Sequence, residues 1–315
     1  MHKIIFYIWN KLPIIFLIPF LPISGIFYLI ITLRKYFLVR IFSKFTSKSK
    51  LIIVGNLNVG GSGKTPFTIW LTNYLKKRGK KIIIVSSGYG SNVSKPQLVS
   101  LLSNPINVGD EAILLHKQTN VDVVTSNNRV KSTMFCDHHG ADYIIHDDGL
   151  QHYSLDRQYE FIVTMHNSNH NNLLLPCGPL REPKSFHPNA CYIHSNYSGN
   201  EVPGFYSKIT NIRSGFDGHI FDINDKKFSH TTLITGIADN TNLKKELNLL
   251  GITFKSIKFP DHYQFNQKDI PDVDNPILVT EKDFVKMNDF NCNNIYILEH
   301  SVIPNAKLLE LVERL

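Results

Sequence analysis

The segment KLIIVGNLNVGGSGKTPFTIWLTNYLKKRGKKIIIVSSGYG, Lys50 to Gly90, constrains the fold more than any other part of the chain. It reads as an apolar strand over 50–55, a glycine-rich loop, a helix over about 65–78 and a second strand over 81–86. That is one βαβ unit, and its strands, apolar on both faces, call for a mostly parallel sheet flanked by helices. In the loop NVGGSGKTP, successive glycines (Gly60, Gly61, Gly63) and Ser62 let backbone N–H groups turn inward toward phosphate oxygens. Lys64 adds a cation and Thr65 a hydroxyl suited to Mg²⁺. The strict spacing wants glycine at the place occupied by Asn58. A glycine turn that merely precedes Lys-Thr is the plain alternative, but the flanking strand and helix favour a nucleoside triphosphate, and Pro66 is tolerated in a first helical turn. The helix N-terminus adds about half a positive charge toward the phosphates.

The alternation continues. Apolar runs at 121–126, 141–148 and 159–165, with EAILLHKQT as a helix between them, extend the α/β pattern. Around NNLLLPCGPLREPKSFHP the periodicity fails, and four prolines indicate an ordered loop near a site. From about Thr232, TLITGI, LKKELNLLGI, FKSIKF, PILVTEKD and NIYILE repeat the pattern on a smaller scale. The expected organisation is an N-terminal membrane helix over 1–35, a P-loop domain over 36–210 and a smaller α/β domain over 211–315.

Net charge first suggests nucleic acid, but its location argues against this. Of the +8 excess, all is matched by eight Lys and Arg residues within 1–50, a stretch with no acid. The remaining body is balanced and offers no basic groove. Leu12–Leu33 is a 22-residue run without a charge, about 33 Å as a helix and close to a bilayer's hydrocarbon thickness. Pro13, Pro19 and Pro22 leave open either a spanning helix or a kinked anchor in one leaflet. Six basic residues between Arg34 and Lys50 place the body in the cytosol by the positive-inside rule. Four cysteines without a CxxC pair suit reduced thiols in the cytosol.

A phosphoryl-transfer enzyme needs acids beyond the loop, for a metal shell and for the acceptor. Two pairs are available. Asp147-Asp148 follows the strand YIIH, where a metal-binding acid commonly sits, and reads otherwise as a turn before Gly149. Asp110-Glu111 opens a helix, where acids also simply favour the dipole. CDHHG (136–140) fits a metal cluster or a turn, and Asp261-His262 a catalytic pair or a loop.

Taken in order, NVGGSGKTP, SGYG, GDE, DDGLQH, GPLREP, DHYQF and VTEKD resemble the tetraacyldisaccharide 4'-kinases, the lipid A 4'-kinase family of Gram-negative bacteria. The resemblance implies an inner-membrane enzyme that uses ATP and Mg²⁺ on the 4' hydroxyl of a tetraacylated glucosamine disaccharide monophosphate. It makes Asn58, Gly60, Gly61, Ser62, Gly63, Lys64 and Thr65 the ATP loop, with Lys64 on the phosphates and Thr65 on magnesium. Asp110 would be the base toward the sugar hydroxyl, helped by His262. Glu111, Asp147, Asp148 and Gln151 would lie in or near the metal shell, and Arg129, Arg181 and Glu182 around the phosphates and the disaccharide. The lipid precursor and the membrane surface are then the implied partners, with neither nucleic acid nor a protein partner, and the chain a monomer.

The chain departs from the family at Ser87, where an arginine usually precedes Gly-Tyr-Gly, and in TGIADNTNLKKEL, which lacks a Gly-Asn-Pro step. The competing reading is a membrane-bound P-loop ATPase that drives assembly or transport of a protein, which would need no hydroxyl-activating base.

Overall fold

The computed structural model describes residues 9, 13–41, 44–87, 95–166, 171–237, 240–260, 263–287, 290 and 293–315. Its first half is built on strands β1 (Lys50–Gly55), β2 (Ile82–Ser86), β3 (Asp122–Thr125), β4 (Tyr143–Asp147), β5 (Tyr159–Met165) and β6 (Cys191–Ser195). They pair in parallel in the order β6-β5-β1-β4-β2-β3. Alternate side chains of the apolar strands serve two cores, as a sheet buried on both faces requires. Ile52, Val54 and Ile145 meet Phe67, Leu71 and Leu75, one stripe of helix α1 (Lys64–Lys77). Leu51, Ile53 and Ile144 face the other way, toward Leu57, Cys136 and Leu180. Beside α1 lies α2 (Asp110–Thr119), whose Ala112, Ile113 and Leu115 cover Ile84 and Val123. Cys136 belongs to α3 (Arg129–His138), a helix that the apolar periodicity does not announce.

The second half extends the same sheet. Strand β7 (Gly204–Ser214) pairs in parallel with β6 and antiparallel with β11 (Ile295–Pro304). Strands β8 (His230–Thr235), β9 (Thr253–Lys258) and β10 (Ile277–Thr280) complete the order β9-β8-β10-β11-β7. Helix α4 (Thr241–Leu249) packs Leu243 and Leu247 on Leu233, Leu278 and Leu298. The one-turn α5 (Glu281–Phe284) follows β10, and α6 (Ala306–Val312) closes the chain. Leu308 and Val312 of α6 return to the core around Phe67 and Ile52 in the first half. The expected 210/211 boundary falls inside β7, beside a register shift between Ile209 and Asn211.

The N-terminal segment begins as a 3-10 helix, Ile14–Phe20, and becomes regular over Leu21–Tyr36. The prolines explain the change: Pro13 precedes it, Pro19 lies in the 3-10 turn and Pro22 in the first α-turn, where a missing N–H costs little. Ile15–Arg40 is long and apolar enough to cross a membrane, with mean hydropathy 2.2. Its apolar side chains are largely exposed, Ile26 at 60% and Leu29 at 57%. The opposite side is docked: Ser24 Oγ donates to Leu174 O at 3.1 Å, Lys35 Nζ to Phe186 O at 2.6 Å, and Arg34 Nη2 to Gln151 O at 3.4 Å.

Candidate functional site

Where β1 ends, the chain turns through Asn56–Gly63 into α1. Gly63 caps the helix at φ +87°, a conformation that strains any residue with a Cβ, and an added Cβ would meet Ser195 Cβ at 3.1 Å. The loop is braced from within and from outside. Asn56 Nδ2 donates to Gly60 O at 3.1 Å, Val59 N to Pro179 O at 2.8 Å, and Arg181 N to Leu57 O at 2.7 Å. Asn58 forms an isolated bridge with Leu180. Gly60, Gly61 and Ser62 line the turn, and the buried Ser62 Oγ lacks a hydrogen-bond partner among the described residues. Lys64 Nζ stands 3.9 Å from Asp148 Oδ1, too far for a good ion pair, and Thr65 is half-buried on the first helical turn. An orphaned hydroxyl, a loosely held ammonium and a helix N-terminus together suit the oxygens of a polyphosphate.

The register places the acids. Val54 of β1 pairs with Asp147 of β4, so both strands end side by side at the loop. Asp147 is buried and accepts from Thr68 Oγ1 of α1 at 3.0 Å. Burial, and next the charge of Glu111, push its carboxyl up to about 7, Lys64 opposing them. Asp148, at φ +52°, turns the other way, toward Arg181 Nη2 at 3.1 Å and Lys64. Burial would raise its pKa too, but Lys64 and then Arg181 outweigh it and hold the carboxyl below its usual range. Two adjacent aspartates thus differ: one holds a fixed negative charge, and the other lacks a full counter-charge.

Arg129 is buried behind these acids, donating to Val85 O at 2.9 Å and Asp147 O at 3.0 Å. Burial lowers its pKa to about 10, with Asp147 and Asp148 pulling it back up. It therefore ties the ends of β2 and β4 and faces no open surface. Arg181 also donates to both the carbonyl and the side-chain oxygen of Asn56, the former at 2.9 Å. Glu182 is 3% exposed and accepts from Gln151 Nε2 at 2.7 Å and from the Tyr153 hydroxyl. His187 Nε2 lies 3.1 Å from Glu182 and its Nδ1 3.4 Å from Glu160. Burial works against the imidazolium, but Glu160 and Glu182 outweigh it and raise the His187 pKa.

Asp110 is the first residue of α2, buried, with its Oδ1 accepting the Glu111 N–H at 2.9 Å. Glu111 Oε1 lies 3.3 Å from Lys282 Nζ of the second half. His262, with Asp261 and the Gly88-Tyr89-Gly90 run, lies outside the described residues. CDHHG serves the fold: Asp137 accepts from Ser47 Oγ and Ser49 Oγ, both at 2.7 Å, and Cys136 is buried, its thiol pushed up to about 12. Among the described residues no group of three or more His, Cys, Asp or Glu is arranged to hold a metal by itself. Mg²⁺ does not need one, since it commonly binds through one or two carboxylates plus substrate phosphates and waters. Asp147, a buried hard oxygen donor short of counter-charge that accepts from Thr68 on the first turns of α1, fits that role.

A family model described as tetraacyldisaccharide-1-P 4'-kinase matches residues 16–315. This chain belongs to that family. Relatives named tetraacyldisaccharide 4'-kinase include one from Wigglesworthia glossinidia brevipalpis, 36% identical, covering 98% of this chain and 87% of the relative. Another, from Nitrosococcus oceani, is 34% identical and covers 93% of this chain and 90% of the relative. The crystal structure of LpxK from Aquifex aeolicus, described as a complex with ATP, superposes with a TM-score of 0.79 at 28% identity. It covers 93% of this chain and 97% of that one. The tetraacyldisaccharide 4'-kinase family thus accounts for both halves and for most of the apolar N-terminal helix.

Within this member of the family, several residues that build the site escape sequence reasoning. Asn56 precedes the loop and anchors Arg181, and Thr68 sits one helical turn past Lys64 and fixes Asp147. The four-residue spacing from Lys64 is a usable signal. Tyr153, Glu160 and His187 form the support under Glu182, and nothing in their spacing points to it.

Proposed function

We propose that the chain transfers the γ-phosphate of ATP to the 4' hydroxyl of a tetraacylated glucosamine disaccharide 1-phosphate, a step of lipid A biosynthesis, on the cytoplasmic side of a bacterial inner membrane. The observation that carries the reading is the meeting of the phosphate loop with two aspartates of opposed character at the ends of β1 and β4. Family membership supplies the substrate.

Asn58, Gly60, Gly61, Ser62 and Gly63 wrap the phosphates, and Lys64 neutralises charge as it moves onto the leaving oxygen. Thr65 and Asp147 would hold Mg²⁺, and Glu111, Asp148 and Gln151 would lie in or near its shell. When bound, the metal neutralises phosphate charge and orients the transferred group. Asp148 keeps Arg181 aimed at the site and holds Lys64 only loosely beside it. Arg181 faces the anionic substrates, while Glu182 and Arg129 set the strand ends and loop from behind. A sugar hydroxyl is a poor nucleophile at neutral pH, so Asp110 takes its proton, assisted by His262, help commonly worth about 10²–10⁴-fold. The exposed apolar helix and the basic residues after it hold the body at an anionic lipid surface, where a four-chain acceptor stays partly embedded. Asp110→Ala is expected to lose about 10²-fold or more of acceptor phosphorylation while binding an ATP analogue as the wild type does. Full activity in this variant would remove Asp110 from the role of base.

A further inference from the structure

The motif Val279-Thr280-Glu281-Lys282-Asp283 has no part in the chemistry above, yet it lies against the helix that opens with Asp110. Its inward side is a bracket within the second half. Thr280 caps α5 by accepting the Asp283 N–H at 3.2 Å, and its hydroxyl donates to Asp283 Oδ2 at 2.7 Å. Asp283 Oδ2 also accepts the Gly236 N–H at 3.0 Å, just past β8. Asp283 Oδ1 lies 3.3 Å from Lys286 Nζ, neither side chain having exposed surface, and that ammonium sits 5.2 Å from the Phe265 ring centre. Removing either charge would leave the other buried and uncompensated, so the turn is rigidly specified.

The outward side of the same turn grips α2. Lys282 Nζ is 3.3 Å from Glu111 Oε1, Gln118 Nε2 donates to Glu281 Oε1, and Lys117 Nζ stands 4.9 Å over the Phe284 ring. Val285 is buried in one cluster with Val108, Ala112, Ile113 and Leu115. Glu111 and Gln118 are about two helical turns apart, so residues 281–285 hold most of the length of α2.

We propose that Lys282 is a positioning residue for phosphoryl transfer: anchored by the Asp283–Lys286 bracket, it holds Glu111 and so fixes the first turn of α2, where Asp110 meets the acceptor. This rests on the kinase reading of Asp110. The Lys282 and Glu111 side chains are 20% and 34% exposed, and a pair so accessible to solvent contributes little to stability. Its value lies in geometry, and a displacement of about 1 Å at a reacting group can cost about 10²-fold in rate.

The test uses the full chain in detergent with Lys282→Met, Lys282→Arg, Glu111→Gln and the Met/Gln double variant. Steady-state kinetics are read with ATP and the lipid acceptor, and ATP-analogue affinity, melting temperature and amide exchange across 110–119 are measured alongside. Lys282→Met is expected to lower kcat about 10- to 100-fold, leave KM for ATP and analogue affinity within about threefold, and leave melting within about 3 °C. Exchange in the first turn of α2 is expected to rise about tenfold, Lys282→Arg to recover most of the rate, and the double variant to be no slower than Glu111→Gln alone. Unchanged kcat, losses that multiply in the double variant, or unchanged exchange would each overturn the proposal. Wild-type protein that phosphorylates no acceptor would overturn the kinase reading and the catalytic part of this one. The exchange result, independent of turnover, would still uphold or overturn the grip of Lys282 on α2.

Discussion

Asp147 and Asp148 are neighbours in sequence and opposites in electrostatics, and the difference is measurable. An acid whose folded pKa is raised binds protons more tightly in the folded than in the unfolded chain, so it lowers stability as pH rises between the two values. For Asp147 that window runs from its ordinary 3.8 to about 7. Unliganded protein is therefore expected to lose stability, on the order of a few kcal/mol from this group, across that range. Asp147→Asn should flatten that part of a pH series of chemical denaturation, and an unchanged slope would contradict the burial argument. His187 has the opposite protonation logic: a raised folded pKa gives stability that is complete below 6.5 and fades as pH climbs through the folded value. His187→Ala takes the charged partner from buried Glu182, while Glu160 keeps Arg157 Nη1 at 2.6 Å, and should cost about 3 kcal/mol or more by urea unfolding below pH 6. Lys64 and Asp147 are legible because loop chemistry and strand-end position mark them, whereas the roles of Asp110 and Arg181 come only through the family resemblance. The backing roles of Arg129 and Glu182 are not legible, since they depend on partners 18 to 44 positions away.

Among the elements, the strands are legible because burial on both faces demands uninterrupted apolar runs, and YEFIVTM matches β5 residue for residue. Helix α3 is not, because it buries Arg129, Ser132, Thr133 and Cys136, mostly polar residues, of which Ser132 and Thr133 donate one turn back to Asn128 O and Arg129 O and Arg129 donates to the strand ends. Helix α6 is short, and Leu308 and Val312 are its buried residues. The proline-rich stretch around Pro176 to Pro183 reads as an ordered loop, and its backbone in fact closes over the phosphate loop at Val59 and Leu57. The phosphate loop itself gives the sharpest test. Gly63→Ala must carry a left-handed conformation and a 3.1 Å approach to Ser195, a strain of about 1–3 kcal/mol. ATP-analogue affinity measured by titration calorimetry should fall about tenfold or more; wild-type affinity would show that the turn is not constrained as described.

For the whole molecule, the sequence separates two α/β halves, but the fold joins them through one sheet, a shared β7 and a last helix that packs back on the first core. Periodicity reads elements one at a time and carries no information on which halves share a strand. The N-terminal helix is continuous with the body through Ser24, Arg34 and Lys35, which places an apolar surface beside the loop that carries Arg181. Full-length protein should sediment with vesicles containing anionic lipid, and a chain starting at Phe45 should do so far less; equal binding would move the membrane contact elsewhere. The central claim is that ATP is spent on a lipid hydroxyl. Incubation of the full chain in detergent with γ-labelled ATP, Mg²⁺ and the tetraacyl disaccharide 1-phosphate tests it most directly. The expected result is label at the 4' position of the lipid, with nucleotide turnover that depends on the acceptor. Hydrolysis at the same rate without acceptor, and no label in the lipid, would contradict it.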